Sequence, residues 1–269
     1  MKFVGNMLVY FGLFQLYQGS FGSGSDFSMP GLLLSAVIAT PFLWLGSTMI
    51  GSGAATEQKG RDEVAQEIVA DGGAGHRYFL YLRPFDSTNA FSISDAHRNV
   101  FSMELYRRDG FDDIERVISE ALEPTAPFIA LGRPGEHRGA GRGLTSEDAW
   151  CDTIRHLAQN AMMIIILPSY RAGTLYELEL LVTRRWLNKT LFVMPPSDGI
   201  WYTAGATDVA KEWKLTQEAC TKFGLILPDA IPGGALFRIR EATAAPLLSP
   251  FPHSIPGDWS KALQKLINK

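Results

Sequence analysis

The stretch MMIIILPSYRAGTLYELELL, residues 162–181, decides the fold. It opens on an uninterrupted apolar run, 162–167, of the kind found in a strand covered on both faces of a parallel sheet. Pro168 and Ser169 end the run. The spacing then predicts a helix over 174–187, with Thr174 and Glu177 placed as a capping box: Thr174 would cap the helix and Glu177 would reach back to its amide. Glu179 falls on another side of that helix and is expected to face solvent.

The same strand–helix alternation extends in both directions. Strands are expected at 78–82 (YFLYL), 127–131 (PFIAL) and 191–194 (LFVM), with a last one at either 225–227 or 235–239. Helical spacing of Ile114, Val117, Ile118 and Leu122 predicts a helix over 111–122, which Pro124 stops. Further helices are expected at 145–160, with Trp150, Ile154, Leu157 and Ala161 on one face, and at 207–223 and 258–267. Asp258 would cap the last. Such alternation argues for an α/β fold with a doubly wound parallel sheet, of flavodoxin-like order 2-1-3-4-5. Ligands of such sheets bind beyond the carboxyl ends of the strands, where the order reverses. Here that is between the first and third strands.

The N-terminal fifth reads differently. Residues 29–50, MPGLLLSAVIATPFLWLGSTMI, carry no charge and are long enough to span a bilayer. Pro41 inside it is tolerated in membrane helices. Residues 3–18 are shorter and contain Asn6, Gln15 and Gln18; a spanning helix, a signal peptide and an interfacial helix are all open to them. A Gly/Ser loop without Lys or Arg joins the two stretches. Lys2 precedes the first, and Lys59 and Arg61 follow the second, so the positive-inside rule places both termini in the cytoplasm of a two-pass protein of the inner membrane. The expected organisation is a transmembrane helical hairpin over 1–55, a juxtamembrane helix and hinge over 56–75, and a cytoplasmic α/β domain over 76–269.

Composition bounds the function. The 269 residues are 46% hydrophobic and 20% charged, with a net charge of −3. That is the make-up of a folded protein. It lacks the basic stripe of a nucleic-acid binder, so no nucleic-acid partner is expected. The two cysteines, Cys151 and Cys220, do not make a disulfide framework. The five histidines are scattered, none at helical spacing with another ligand, and no metal site is expected. The chain has no GxxxxGK[ST], HExxH or GxSxG pattern.

Three segments converge on the switch point. Arg83, Phe85 and Asp86 follow the first strand, where Arg83 and Asp86 could line a site or pair with each other. The glycine-rich loop 132–142 offers backbone amides from Gly132 onward and three arginines, including Arg133 and Arg142, either as a cradle for an anion such as pyrophosphate or as a surface loop. Ser169, Gly173, Thr174 and Glu177 form the third. Phe85, Tyr170 or Trp150 could stack on a base, although Trp150 lies on an apolar helix face.

Strand, serine, loop and Gly173-Thr174-x-x-Glu177-Leu178 together resemble the third strand and following helix of TIR (Toll/interleukin-1 receptor-like) domains. The LRPFD stretch at 82–86, the GRPGE loop at 132–136 and Trp150 are similar to bacterial membrane proteins with TIR-like domains. The Gly-Thr-x-x-Glu pattern also resembles nucleoside deoxyribosyltransferases. The resemblance covers roughly residues 78–196. It departs from the TIR motif where Gly173 and Thr174 replace tryptophan and cysteine, and in a long insert over 87–110. It implies a fold that self-associates and, in its catalytic members, cleaves NAD as substrate with a glutamate, no cofactor being tightly bound. Glu177 would be that residue, with the nucleotide held by Arg83, Phe85, Asp86, Gly132, Arg133, Arg142, Ser169, Gly173 and Thr174. The resemblance equally implies two rivals: a non-catalytic assembly scaffold, and a nucleoside or nucleotide ribosyltransferase or sensor.

Overall fold

The computed structural model describes residues 2–21, 29–84, 92–94, 111–135, 139–197, 201–202, 208–242, 244–252 and 256–267. The chain divides into two compact units. Among the described residues, those up to residue 58 belong to the first and those from residue 59 onward to the second.

The first unit is helical. Helix α1 (Lys2–Phe21) packs on the N-terminal part of α2 (Met29–Ala70). Small residues let the two approach: a Cβ on Gly46 would meet the Gly5 carbonyl oxygen at 2.7 Å, and one on Gly12 would meet the Leu43 side chain at 2.9 Å. Val9 and Ala39 are buried in this contact, and the Phe11 and Phe42 rings meet edge to face at 4.9 Å. Close backbone approach through glycine and alanine is the packing that apolar helices use where no hydrophobic driving force separates helix from solvent. Among the described residues one helix, α2, is long and apolar enough to cross a membrane. It runs for 42 residues through Pro41 and across 51–56, where the sequence reading placed a domain boundary. Its last turns belong to the second unit.

That unit is α/β, built on a seven-stranded, mostly parallel sheet. Strands β1 (Phe79–Leu82), β4 (Phe128–Leu131), β5 (Gly141–Gly143), β6 (Met163–Ile166) and β7 (Thr190–Met194) are parallel; β9 (Ala235–Arg238) and β10 (Leu247–Pro250) add antiparallel at one edge. The order is β10-β9-β7-β6-β1-β4-β5. Short strands β2 (Ser92–Ser94), β3 (Phe111–Asp113) and β8 (Trp201–Tyr202) form a separate three-stranded antiparallel sheet.

Alternation along each strand sorts the core into two layers. Leu80, Leu82, Ile129, Ile164, Ile166, Phe192 and Phe237 face one side, under the end of α2, α4 (Trp150–Asn160), α5 (Ala172–Thr183) and α6 (Val209–Cys220). Phe79, Tyr81, Phe128, Ile165, Val193 and Leu236 face the other, under α3 (Ile114–Leu122) and α7 (Pro256–Ile267). Both faces are covered, which is why the parallel strands read as continuous apolar runs.

The structure departs from the sequence reading at several boundaries. The last central strand is β9; residues 225–227 pair with no strand, although Leu225 and Leu227 are buried. It joins antiparallel, where a fifth parallel strand was expected. Helix α4 begins at Trp150 after a turn over 147–149, not at Thr145. Residues 111–113, read as helix, are strand β3. Residues 71–75 form a hydrogen-bonded turn closing α2, with Gly73 at φ +77° donating to the Ile68 carbonyl. A Cβ there would collide with the Tyr78 hydroxyl, which itself donates to the Leu157 carbonyl at 2.7 Å.

Lys189 ties this turn-rich region together. Its Nζ donates to the Gln159 carbonyl at 2.7 Å and to the Ala161 carbonyl at 3.2 Å, satisfying carbonyls at the C-terminus of α4. Lys189→Met keeps the stem and removes both bonds. It is expected to lower stability by about 1 kcal/mol, read as a lower midpoint in urea unfolding of the full chain; an unchanged midpoint would mean solvent serves those carbonyls equally well.

Candidate functional site

The segment after β6 is set by three local events. Pro168 ends the strand. Ser169 turns the chain, its buried Oγ accepting the Arg171 amide at 3.3 Å. Arg171 is then the N-cap of α5, in extended conformation and without any side-chain cap, and its carbonyl accepts the first helical bond from Leu175. The helix therefore starts three residues earlier than the Thr174 cap would require. Thr174 lies inside the first turn, and the amides that follow it already bond within the helix from Leu175 onward, so its hydroxyl has no capping role. The capping box is overturned, and with it the structural explanation of both residues.

What replaces it is a buried polar pair. Thr174 and Glu177 are one turn apart and share a stripe with Leu178 and Leu181. Thr174 is 2% exposed and Glu177 3%. Among the described residues, neither Thr174 Oγ1 nor Glu177 Oε2 has a hydrogen-bond partner. Desolvation by burial pushes the Glu177 carboxyl well above the ordinary carboxylate range. A buried polar group left unmatched costs about 1–3 kcal/mol, so two on one helical turn mark a place where the fold accepts a cost. Gly173 is half-buried beside them, and Glu179 is exposed as expected. Trp150 is half-buried and packs on the Tyr176 ring at 5.5 Å, while Arg171 lies 5.0 Å over the Tyr170 ring.

The arginines are placed otherwise than the sequence suggested. Arg142 is in strand β5, not in a surface loop, and is 0% exposed. Its Nη2 donates to Glu115 Oε1 at 2.6 Å, and the same oxygen accepts the Ala140 amide at 3.0 Å. Arg83, its side chain 11% exposed, pairs through Nη1 with Glu115 Oε2 at 3.3 Å. Glu115, 1% exposed at the start of α3, thus bridges two guanidiniums. Arg142 Nε and Nη1 remain buried without an acceptor.

This cluster lies on the α3 side of the sheet: Leu82 belongs to the opposite core layer, and Arg83 follows it on an alternating strand. Glu177 is on α5, over the other face. The structure therefore groups Ser169, Gly173, Thr174 and Glu177 at the end of β6, and groups Arg83 and Arg142 separately around Glu115. Gly132 is half-buried with its amide on the Gly143 carbonyl at 3.1 Å, and Arg133 is exposed. Phe85 and Asp86 lie outside the described residues. Glu115 was invisible as a site residue because an acid in the first turn of a helix is the commonest of complements to the helix dipole.

Among the described residues, the chain has an α/β unit, one helix long and apolar enough to cross a membrane, and a buried carboxyl with one unmatched oxygen on the helix that follows a central strand. No protein-family model, curated protein or solved structure matches the chain.

Proposed function

We propose that the chain is a membrane-anchored protein whose α/β unit is flavodoxin-like and TIR-like, and that it hydrolyses the nicotinamide–ribose bond of NAD in bacterial signalling or defence. Glu177 carries the reading: a carboxyl at the carboxyl end of a central strand, 3% exposed, with Oε2 unmatched and no capping duty. Breaking this bond releases a neutral ring from a cationic one, so the leaving group needs no acid, unlike that of a glycoside. One carboxylate beside the ribose suffices to stabilise an oxocarbenium-like transition state. Burial favours the neutral form of Glu177; the positive charge of a bound nicotinamide ring would favour its ionisation where it is needed. The length and apolarity of α2 support the anchor; in this reading α1 and α2 form a two-pass hairpin with both termini cytoplasmic, which would gather copies in one plane and favour self-association.

One observation favours a second reading. Arg83 and Arg142, which the nucleotide would need on its phosphates, are held by Glu115 on the other face of the sheet. A non-catalytic TIR-like scaffold needs no phosphate contacts. Incubating NAD with the full-length protein on liposomes separates the two. Consumption by wild type and not by folded Glu177→Gln supports the hydrolase. Consumption by neither supports the scaffold, and turnover of a nucleoside without NAD supports a ribosyltransferase.

A further inference from the structure

Helix α2 does more than lead into the α/β unit. Three of its side chains hold β5 and the chain on either side of it. Asp62, buried, accepts two backbone amides at once: Gly135 at 2.7 Å through Oδ2 and Arg142 at 2.8 Å through Oδ1. Arg61 Nη1 donates to the Gly139 carbonyl at 3.4 Å while its Nη2 pairs with Glu123 at 3.0 Å. Gln66 Oε1 accepts the Leu144 amide at 2.9 Å. The sequence of β5 is fitted to this contact. A Cβ on Gly141 would collide with the Arg61 carbonyl oxygen, and one on Gly143 with the Val69 side chain. Glycine at both positions brings the backbone of β5 directly onto the helix, and leaves Arg142 between them as the one side chain of the strand, pointing to Glu115.

The strand is thus fixed from both sides, by α2 through its backbone and by α3 through Arg142. β5 is the outermost strand of the sheet, three residues long, and has only β4 as a strand neighbour. An edge strand of this length, Gly-Arg-Gly, has little propensity of its own. Its position depends on what holds it. The helix that does so runs without a break from the segment able to cross a membrane.

We propose that the last three turns of α2 are a regulatory clamp on β5 and the loop before it, through which rotation of α2 shifts β5 and, with it, the Arg142–Glu115–Arg83 cluster. Asp62 is the positioning residue of this clamp. It acts on the backbone, and its two amides report its state. The inference stands apart from NAD cleavage and is tested without it.

The test is amide hydrogen exchange on the full-length chain in liposomes. Asp62→Asn keeps the size of the side chain but turns one acceptor into a donor facing an amide. Exchange at Gly135 and Arg142 is expected to rise more than 10-fold, with β6 and β7 unchanged. Protection retained at both amides, or lost equally through β6 and β7, overturns the clamp as a local device. Transmission is read with alanine insertions after Ala55. One residue turns the preceding helix by about 100°, whereas seven return it to within about 20°. One alanine is expected to raise exchange at Arg142 more than 10-fold, and seven to restore it to within 2-fold of wild type. If neither insertion changes exchange, or both change it alike, the helix does not transmit its phase and the proposal fails.

Discussion

Glu177→Gln is expected to reduce NAD turnover at least ~100-fold, as loss of one electrostatic contributor to a transition state does, and to leave a protein more stable than wild type near neutral pH. The second half distinguishes a functional carboxyl from a structural one. Burial raises the Glu177 carboxyl well above its ordinary value of 4.5. The folded chain therefore binds this proton more tightly than the unfolded chain. The associated stability is fully present below the unfolded value and is lost as pH rises through the folded one. Wild type should weaken across that window by at most about 1.4 kcal/mol per pH unit, the slope for one proton. Glutamine has no proton to lose and is isosteric with the neutral acid. The two proteins should unfold at similar temperatures near pH 4 and diverge upward from there, the variant being the more stable. Parallel unfolding temperatures from pH 4 to 8 would show that Glu177 is solvated or paired in the folded chain. A cap would give the opposite sign, since an ionised Glu177 would be the stabilising form.

The strands at the centre of the sheet were legible because burial on both faces demands uninterrupted apolar runs. The expected 78–82, 127–131, 162–167 and 191–194 meet the observed Phe79–Leu82, Phe128–Leu131, Met163–Ile166 and Thr190–Met194. The edges were not legible. Gly141–Gly143 is a strand because α2 accepts its glycines and Glu115 neutralises its arginine; neither partner is near it in sequence. Leu247–Pro250, largely exposed, has no apolar run to announce it. The site failed in a different way. Thr174-x-x-Glu177 has the right spacing for a capping box, but Ala172 and Gly173 also take helical conformation once Ser169 has turned the chain. A shift of three residues, from a cap at Thr174 to one at Arg171, moved both polar side chains from a helix end into the interior. Both residues were visible in the sequence, and only the start of the helix placed them in the interior.

Glu115→Ala should be the most damaging single substitution in the α/β unit, lowering stability by about 3–5 kcal/mol. The carboxylate touches three donors: Arg142 Nη2 at 2.6 Å, the Ala140 amide at 3.0 Å and Arg83 Nη1 at 3.3 Å. Removing it leaves Arg142, fully buried, with no acceptor for its guanidinium, beside a second positive charge. A domain stable by about 5–15 kcal/mol loses about a fifth of that margin or more. Glu115→Gln keeps one oxygen for the Ala140 amide and Arg142 but turns an NH2 toward Arg83, so its loss should be smaller. The decisive comparison is the pair Glu115→Leu with Arg142→Met. Removing Glu115 and Arg142 together avoids a fully buried guanidinium without a counter-charge, and hydrophobic replacements of similar volume are often neutral or better, but Arg83 and the Ala140 amide still lose their acceptor. The double variant should therefore recover part of what Glu115→Ala loses, as read in thermal and urea unfolding. If the double variant is as unstable as Glu115→Ala, the pair contributes through shape and not charge. If Glu115→Ala itself costs less than about 1 kcal/mol, water reaches Arg142, and the cluster is a surface ion pair in its energetics despite its burial.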